Sequence, residues 1–316
     1  MKSKHVASVP SSLGVILLLV GMAFADPNAP ALPDDLVDTL YPSLEKLAPG
    51  SAEAQDRQRQ AAQDLGLPVE VRTRKTGIVL RLIPAGTFTM GSPKSKDGIF
   101  ELYSEERPQH EVTLTRAFYC GKFEVTQGQW KQVMGSNPSF FQNGGPHAPV
   151  QCVNWDDCWE FLTALCEVEG VPRGTYRLLT EAQWEYACRA GTQTAFCYGN
   201  DLNPSMANFN GEYPYGAGAK GLSREMTTLV GIFQPNAWGL YDMHGNVWEW
   251  CQDWYGGYPS EPVTDPYGPA SGVFLVIRGG SWHNGAENCR CAFRRSSARF
   301  STSGILGLRL ARTTPQ

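Results

Sequence analysis

One stretch, Gly239 to Trp254 (GLYDMHGNVWEWCQDW), constrains this chain more than any other. It packs a Gly-rich turn, a carboxylate on either side of that turn and three tryptophans into a short space. Asp242, the carbonyls of Gly245 and Val247, and Glu249 are spaced as oxygen ligands for one hard cation, once the Gly245-Asn246 turn bends the chain. Calcium is the cation that takes six to eight carboxylate and carbonyl oxygens from a flexible loop. The competing reading is that Asp242 and Glu249 cap turns or pair with arginines. Only 18% of residues are charged, while glycine (33) and tryptophan (9) are plentiful, which describes a loop-rich globular protein.

The N-terminus reads as an export signal. Lys2 and Lys4 precede an apolar run from Leu13 to Phe24, and Ala23-Phe24-Ala25 is a small-x-small cleavage site before Asp26. The run is shorter than the roughly 20 residues a membrane span needs, and no later stretch could span a bilayer. The expectation is a signal peptide over 1–25 and an exported product, periplasmic or extracellular. Cleavage removes two lysines and no acid, so the net charge moves from -4 to about -6. Nucleic-acid binding needs a basic footprint, and an acidic chain argues against it. Arg290, Arg294, Arg295, Arg299 and Arg309 cluster near the C-terminus and read as a salt-bridged surface.

Residues 26–75 start Pro-rich and continue with Leu36, Leu40, Leu44 and Leu47 in a pattern interrupted by Pro42. They read as a flexible or partly helical stalk without chemistry. From Thr76 onward, IVLRLIPAGTFTM (78–90) is strand-like with a turn at Pro84-Ala85-Gly86, and Val112 to Leu114 alternates as a strand. Three helix starts follow. Thr126 with Gln129 forms a capping box and Gly135 the stop; Asn154 opens a helix that Gly170 ends; Thr180 with Gln183 forms a second capping box. The chain from Gly191 to about residue 238 is irregular, and the last strands fall at Phe274–Arg278 and Leu306–Ala311. The pattern is α+β with little regular structure.

The nine cysteines (120, 152, 158, 166, 188, 197, 251, 289, 291) all lie beyond the signal peptide, where export permits disulfides. Their odd number leaves at least one without an intrachain partner. There is no C-x-x-C and no Cys/His cluster at zinc-finger spacing, which argues against a structural zinc site. His110, His147, His244 and His283 are scattered, with no metal-binding helix face. Nucleophile-elbow, P-loop and GxGxxG fingerprints are absent.

Six motifs in order (IPAGTFTMGS, FEVTQGQW, NPSFF, YRLLTEAQWEYACRAG, NAWGLYDMHGNVWEWCQDWY and RGGSW) make the chain resemble the formylglycine-generating enzyme, or sulfatase-modifying factor, family. The resemblance runs from Thr76 to Arg312 and implies one domain, 76–312, with a variant of the C-type lectin fold. Known members convert a sulfatase cysteine to formylglycine with molecular oxygen and copper held by two cysteines, and bind structural calcium; others have different roles. Asp242, Gly245, Val247 and Glu249 match one family calcium site. Asn208 and the Phe209 carbonyl match half of another, where Leu222 stands at a carboxylate position and cannot bind a hard cation.

The catalytic match is incomplete. Counted from Ser281, the first copper cysteine position is Asn284 and the second is Cys289, and Gly285 replaces a family histidine. Asn offers no thiolate, and thiolates are what select Cu(I). Cys289 and Cys291 would share a face if they lay on a strand and could then chelate a soft metal. Ser281 matches a serine that lines the family's active site; the plainer reading is a turn hydroxyl. The resemblance also implies a Cys188–Cys291 disulfide, whereas Cys166 has lost its family partner to Leu310. Three functions stay open: a calcium-stabilised binding module for a protein or peptide, with a sulfatase among the candidates; a copper oxidase using Cys289 and Ser281; and a carbohydrate-binding module using Trp248, Trp250, Trp254 and Trp282, which otherwise read as packing.

Overall fold

A computed structural model describes residues 32–39, 52–93 and 105–314. The expected signal peptide and residues 26–31 and 40–51 of the expected stalk lie outside them. Among the described residues, thirteen strands form three sheets, accompanied by four α-helices.

The largest sheet has six strands, all paired antiparallel. These are β1 (Leu36–Asp38), β2 (Glu70–Thr73), β3 (Val79–Ile83), β6 (Phe118–Gly121), β13 (Leu310–Thr313) and β7 (Tyr176–Leu178), in that spatial order. A three-stranded sheet joins β4 (Gly86–Met90), β5 (His110–Leu114) and β9 (Val263–Thr264). The third sheet orders β11 (Arg294–Ala298), β10 (Phe274–Arg278), β8 (Trp248–Trp254) and β12 (Leu306–Gly307).

The stalk expectation is corrected. β1 is an edge strand of the main sheet, β2 pairs between it and β3, and helix α1 (Ala52–Leu65) buries Ala54, Gln58 and Ala62. Gln58 donates to the Leu82 and Trp238 carbonyls at 2.8 and 3.1 Å. Asp35 closes this arrangement by pairing with Arg312. Short strands separated by a helix have too little periodicity to read as sheet from sequence.

The helices α2 (Gln127–Met134), α3 (Trp155–Glu169) and α4 (Glu181–Arg189) start where their caps place them. All three have reciprocal capping boxes, with Asp157 returning the bond to Asn154. Each box satisfies two backbone donors that a helix start otherwise leaves bare. On α3, Cys158, Phe161, Leu162, Leu165 and Cys166 recur at helical spacing and fill one core.

β8 divides two cores. Trp248 and Trp250 point into one, with Leu275 and Phe293; Cys251 points into the other, with Trp184 and Met243. Successive strand side chains alternate, so the odd positions carry Glu249, Cys251 and Asp253 inward. The C-terminal arginines share this fate. Arg290, Arg294 and Arg309 are not surface but buried ion pairs with Glu106, Glu181 and Glu249.

Candidate functional site

The Gly245-Asn246 turn is built by close approach. Gly245 has φ +96°, and a Cβ there would sit 2.2 Å from the Asn208 carbonyl oxygen. Only glycine permits both. The contact makes a bridge between Asn208 and Gly245, and Asn246 N–H donates to the Asn208 carbonyl at 2.7 Å. The two stretches expected to bind calcium are thus stitched together.

Their side chains are not equivalent. Glu249 receives Trp184 Nε1 at 2.6 Å and a two-pronged contact from Arg309 at 2.7 and 2.9 Å. Arg309 is thus the partner of Glu249 here, the alternative role expected for it beside calcium. Asp242 accepts one bond, from Gly231 N–H at 2.7 Å, and its other oxygen, Oδ1, is buried without a partner. Asn208 Oδ1 is likewise buried and unpartnered, while Phe209 is a core residue and Leu222 is exposed. An unpaired buried oxygen costs about 1–3 kcal/mol; a hard cation would relieve it.

Glu124 is the residue sequence reasoning missed. It is buried against the same turn, accepting from Asn246 Nδ2 at 2.7 Å and Val247 N–H at 3.1 Å. Burial, then Asp242, then Glu249 push its carboxyl well above the usual range, and burial pushes Asp242 up to about 6. Arg309 faces three carboxylates. Asp242 and Asn208, expected at two different calcium sites, each keep one unpartnered oxygen, and Glu124 lies against the same turn. A lone glutamate inside FEVTQGQW carries no spacing signal that could have announced it.

The GGS turn is a second centre. Gly280 has φ +74°, and a Cβ there would meet Cys289 Sγ at 2.5 Å. Ser281 Oγ donates to Asn284 Oδ1 at 2.6 Å, and Trp248 Nε1 donates to the same oxygen at 2.8 Å. The structure therefore brings Ser281, Asn284 and Cys289 together. Cys289 is fully buried, and burial pushes its thiol above the ordinary range. It ends a 3₁₀ turn (Ala286–Cys289), and Cys291 follows in a turn, so the expected shared strand face does not exist. Cys291 instead faces Cys188. Copper held by two cysteines does not fit this donor set, because Asn284 supplies an amide that is already bonded twice.

Cys188 and Cys291 approach as the resemblance implies, but as thiols: Cys188 Sγ donates to Cys291 Sγ at 3.5 Å. Among the described residues, every cysteine is unbridged. The tryptophans divide. Trp248 and Trp250 are fully buried packing, whereas Trp282 is half-buried in a ladder of aromatic contacts. That ladder runs from exposed Phe140 through Phe141 and Trp282 to His283, with ring centroids 4.9, 5.3 and 5.3 Å apart.

Comparison with known proteins assigns the chain. Residues 68–314 match the sulfatase-modifying factor enzyme 1-like domain. The formylglycine-generating enzyme of Streptomyces coelicolor is 36% identical over 197 residues, covering 59% of this chain and 59% of that protein. The chain spans between half and three fifths of the first such enzymes it matches. A Paenibacillus barcinonensis protein named chaperone protein LppX is 30% identical over 68% of this chain and 87% of its own length. The solved structure of Treponema denticola variable protein 1 superposes with a TM-score of 0.65 at 28% identity, covering 78% of this chain and all of that one. With its α+β fold of the formylglycine-generating-enzyme, C-type-lectin-like kind, this chain belongs to the sulfatase-modifying factor family.

Proposed function

We propose that this protein is an exported, calcium-stabilised binding module of the family, engaging a protein or peptide partner without carrying out the copper oxidation. One observation carries the reading. The position that would supply the first copper thiolate is Asn284, held by Ser281 and Trp248, and the remaining Cys289 thiol is sealed in the interior. The aromatic ladder ending at Trp282 and His283 adjoins this turn and offers an apolar, partly exposed surface to a peptide. Aromatic side chains suit that role because they give large contact area at low entropic cost. A relative named as a chaperone is compatible with binding without oxidation.

Calcium belongs to the proposal through the orphaned oxygens of Asp242 and Asn208. The ion would neutralise carboxylates that Arg309 alone does not balance and pin the Asn208–Gly245 contact.

The test is mass spectrometry of a CxPxR peptide incubated with the purified protein, Cu(I), reductant and oxygen, beside an authentic family oxidase. The expected result is an unchanged thiol. An aldehyde product would overturn the reading and place chemistry on Cys289 and Ser281.

A further inference from the structure

Four metal-capable side chains converge away from the GGS turn. Cys188 lies in the last turn of α4. Cys197 sits in a tight turn closed by reciprocal bonds between Phe196 and Gly199. His244 precedes the Gly245-Asn246 turn, and Cys291 lies in the turn before β11. All four are buried. The donor atoms of Cys188, His244 and Cys291 all lie within 4.8 Å of one another. Cys188 Sγ is 3.5 Å from Cys291 Sγ and 3.9 Å from His244 Nε2, and Cys197 Sγ is 3.2 Å from the same nitrogen.

Cys188, His244 and Cys291 form the compact three-donor group, with Cys188 Sγ 3.9 Å from both ring nitrogens, and Cys197 stands beside that group against Nε2. Zinc–sulfur bonds of about 2.3 Å and zinc–nitrogen bonds of about 2.0–2.1 Å give tetrahedral S···S and S···N edges of about 3.8 and 3.5 Å. The histidine is oriented as a ligand. Its Nδ1 is 2.7 Å from the Cys289 carbonyl, which can only accept, so the proton sits on Nδ1 and the lone pair on Nε2. A ring nitrogen tied to a backbone carbonyl is the usual support of a metal-bound histidine. Nε2 presently accepts from Cys197 N–H at 3.2 Å, and burial lowers the imidazole to about 4, keeping it neutral.

The surroundings supply matching charge. Arg278 binds the carbonyls of Cys291, Ala292 and Phe293, and it shares Glu185 with Arg189. Two cations against one carboxylate leave one positive charge beside the cluster. Three thiolates around a dication carry one negative charge.

We propose that Cys188, Cys197, Cys291 and His244 Nε2 form a closed four-coordinate site for one zinc ion in the reduced protein. Binding displaces the three thiol protons to solvent and involves no electron transfer. A Cys188–Cys291 disulfide would consume two of the donors and leave Cys197 and the imidazole lone pair with no common role. The site is separate from the partner-binding surface and does not depend on that reading.

The test uses the whole chain after signal removal, prepared with reductant under anaerobic conditions. Zinc titration should give one ion per chain. Cobalt(II) should show the intense ligand-field bands of a four-coordinate ion with a thiolate charge-transfer band. Cys197→Ser and His244→Gln should each weaken cobalt affinity by roughly tenfold or more, whereas Cys152→Ser should not change it. X-ray absorption on the zinc-loaded wild type, which needs no variant to fold, should read three sulfurs and one nitrogen. Either an all-oxygen/nitrogen shell or no stoichiometric binding would overturn the site. So would a Cys188–Cys291 disulfide that, once reduced, confers no cobalt binding.

Discussion

Two buried polar regions lie within one fold and are finished differently. Around Arg278 every carboxylate is paired, although Arg278 and Arg189 share Glu185 and Arg278 Nε has no partner. Arg278 pairs with Glu185, Arg189 returns to Glu185, and Arg294 clamps Glu181 at 2.6 and 2.7 Å. Around Asp242 the accounts do not close: Glu124, Asp242 and Glu249 share Arg309, and Asp242 Oδ1 has no partner. The first region is a lattice that holds β8, β10 and α4 in register. The second leaves one buried carboxylate oxygen over.

The contrast can be broken at its strong end first. Arg278→Ala should cost about 3–5 kcal/mol, because it takes one of two cations from buried Glu185 and leaves the Cys291, Ala292 and Phe293 carbonyls without their donor; urea denaturation that finds under 1 kcal/mol would dissolve the distinction. Next is Asp253, which burial and then Glu181 push up to about 8. The folded value lies above the unfolded one, so the native state holds this proton longer. Stability should therefore fall as pH rises from about 4 to 8, by a few kcal/mol. Asp253→Asn should flatten that slope in thermal melts while keeping an acceptor for the Glu181 N–H, which now donates at 2.9 Å.

Calcium probes the unanswered region directly. At a concentration a hundredfold above its dissociation constant it should stabilise the protein by about 2.7 kcal/mol, with the gain abolished by chelator and by Asp242→Ala. Equal melting of the wild type with and without calcium would show that the region tolerates its own imbalance. The smallest effect is expected at exposed Phe140. Phe140→Ser should leave stability within about 0.5 kcal/mol, as measured by urea midpoint, because the ring at the outer end of the aromatic ladder supports no core. A larger loss would make that ladder structural rather than a contact surface.

Legibility followed the range of the interaction that made each feature. Thr126, Asn154 and Thr180 announced their helices because a cap joins residues three apart. β8 went unread: Glu249 and Asp253 alternate with its tryptophans but are buried as well, so neither face reads as a solvent face. The segment before Thr76 looked like a stalk because its partners, Trp238 and Arg312, lie far along the chain. At the site, Ser281, Asn284 and Cys289 were readable as a group from their nearness in sequence. Glu124 and His244 were not, since nothing beside them marks a lone acid or a lone histidine as part of a cluster.

By itself the sequence determined the family, the caps, the glycines at 245 and 280 and the loss of a thiolate at Asn284. Those are properties of a residue and its near neighbours, set by sterics and short-range hydrogen bonds. Tertiary structure alone decided that Glu249 answers Arg309, 60 residues away, and that Asp35 answers Arg312 across 277. Such pairings depend on which distant segments the sheets bring into one low-dielectric interior. There an unmatched charge or thiol is costly enough to matter, and no local pattern encodes the match.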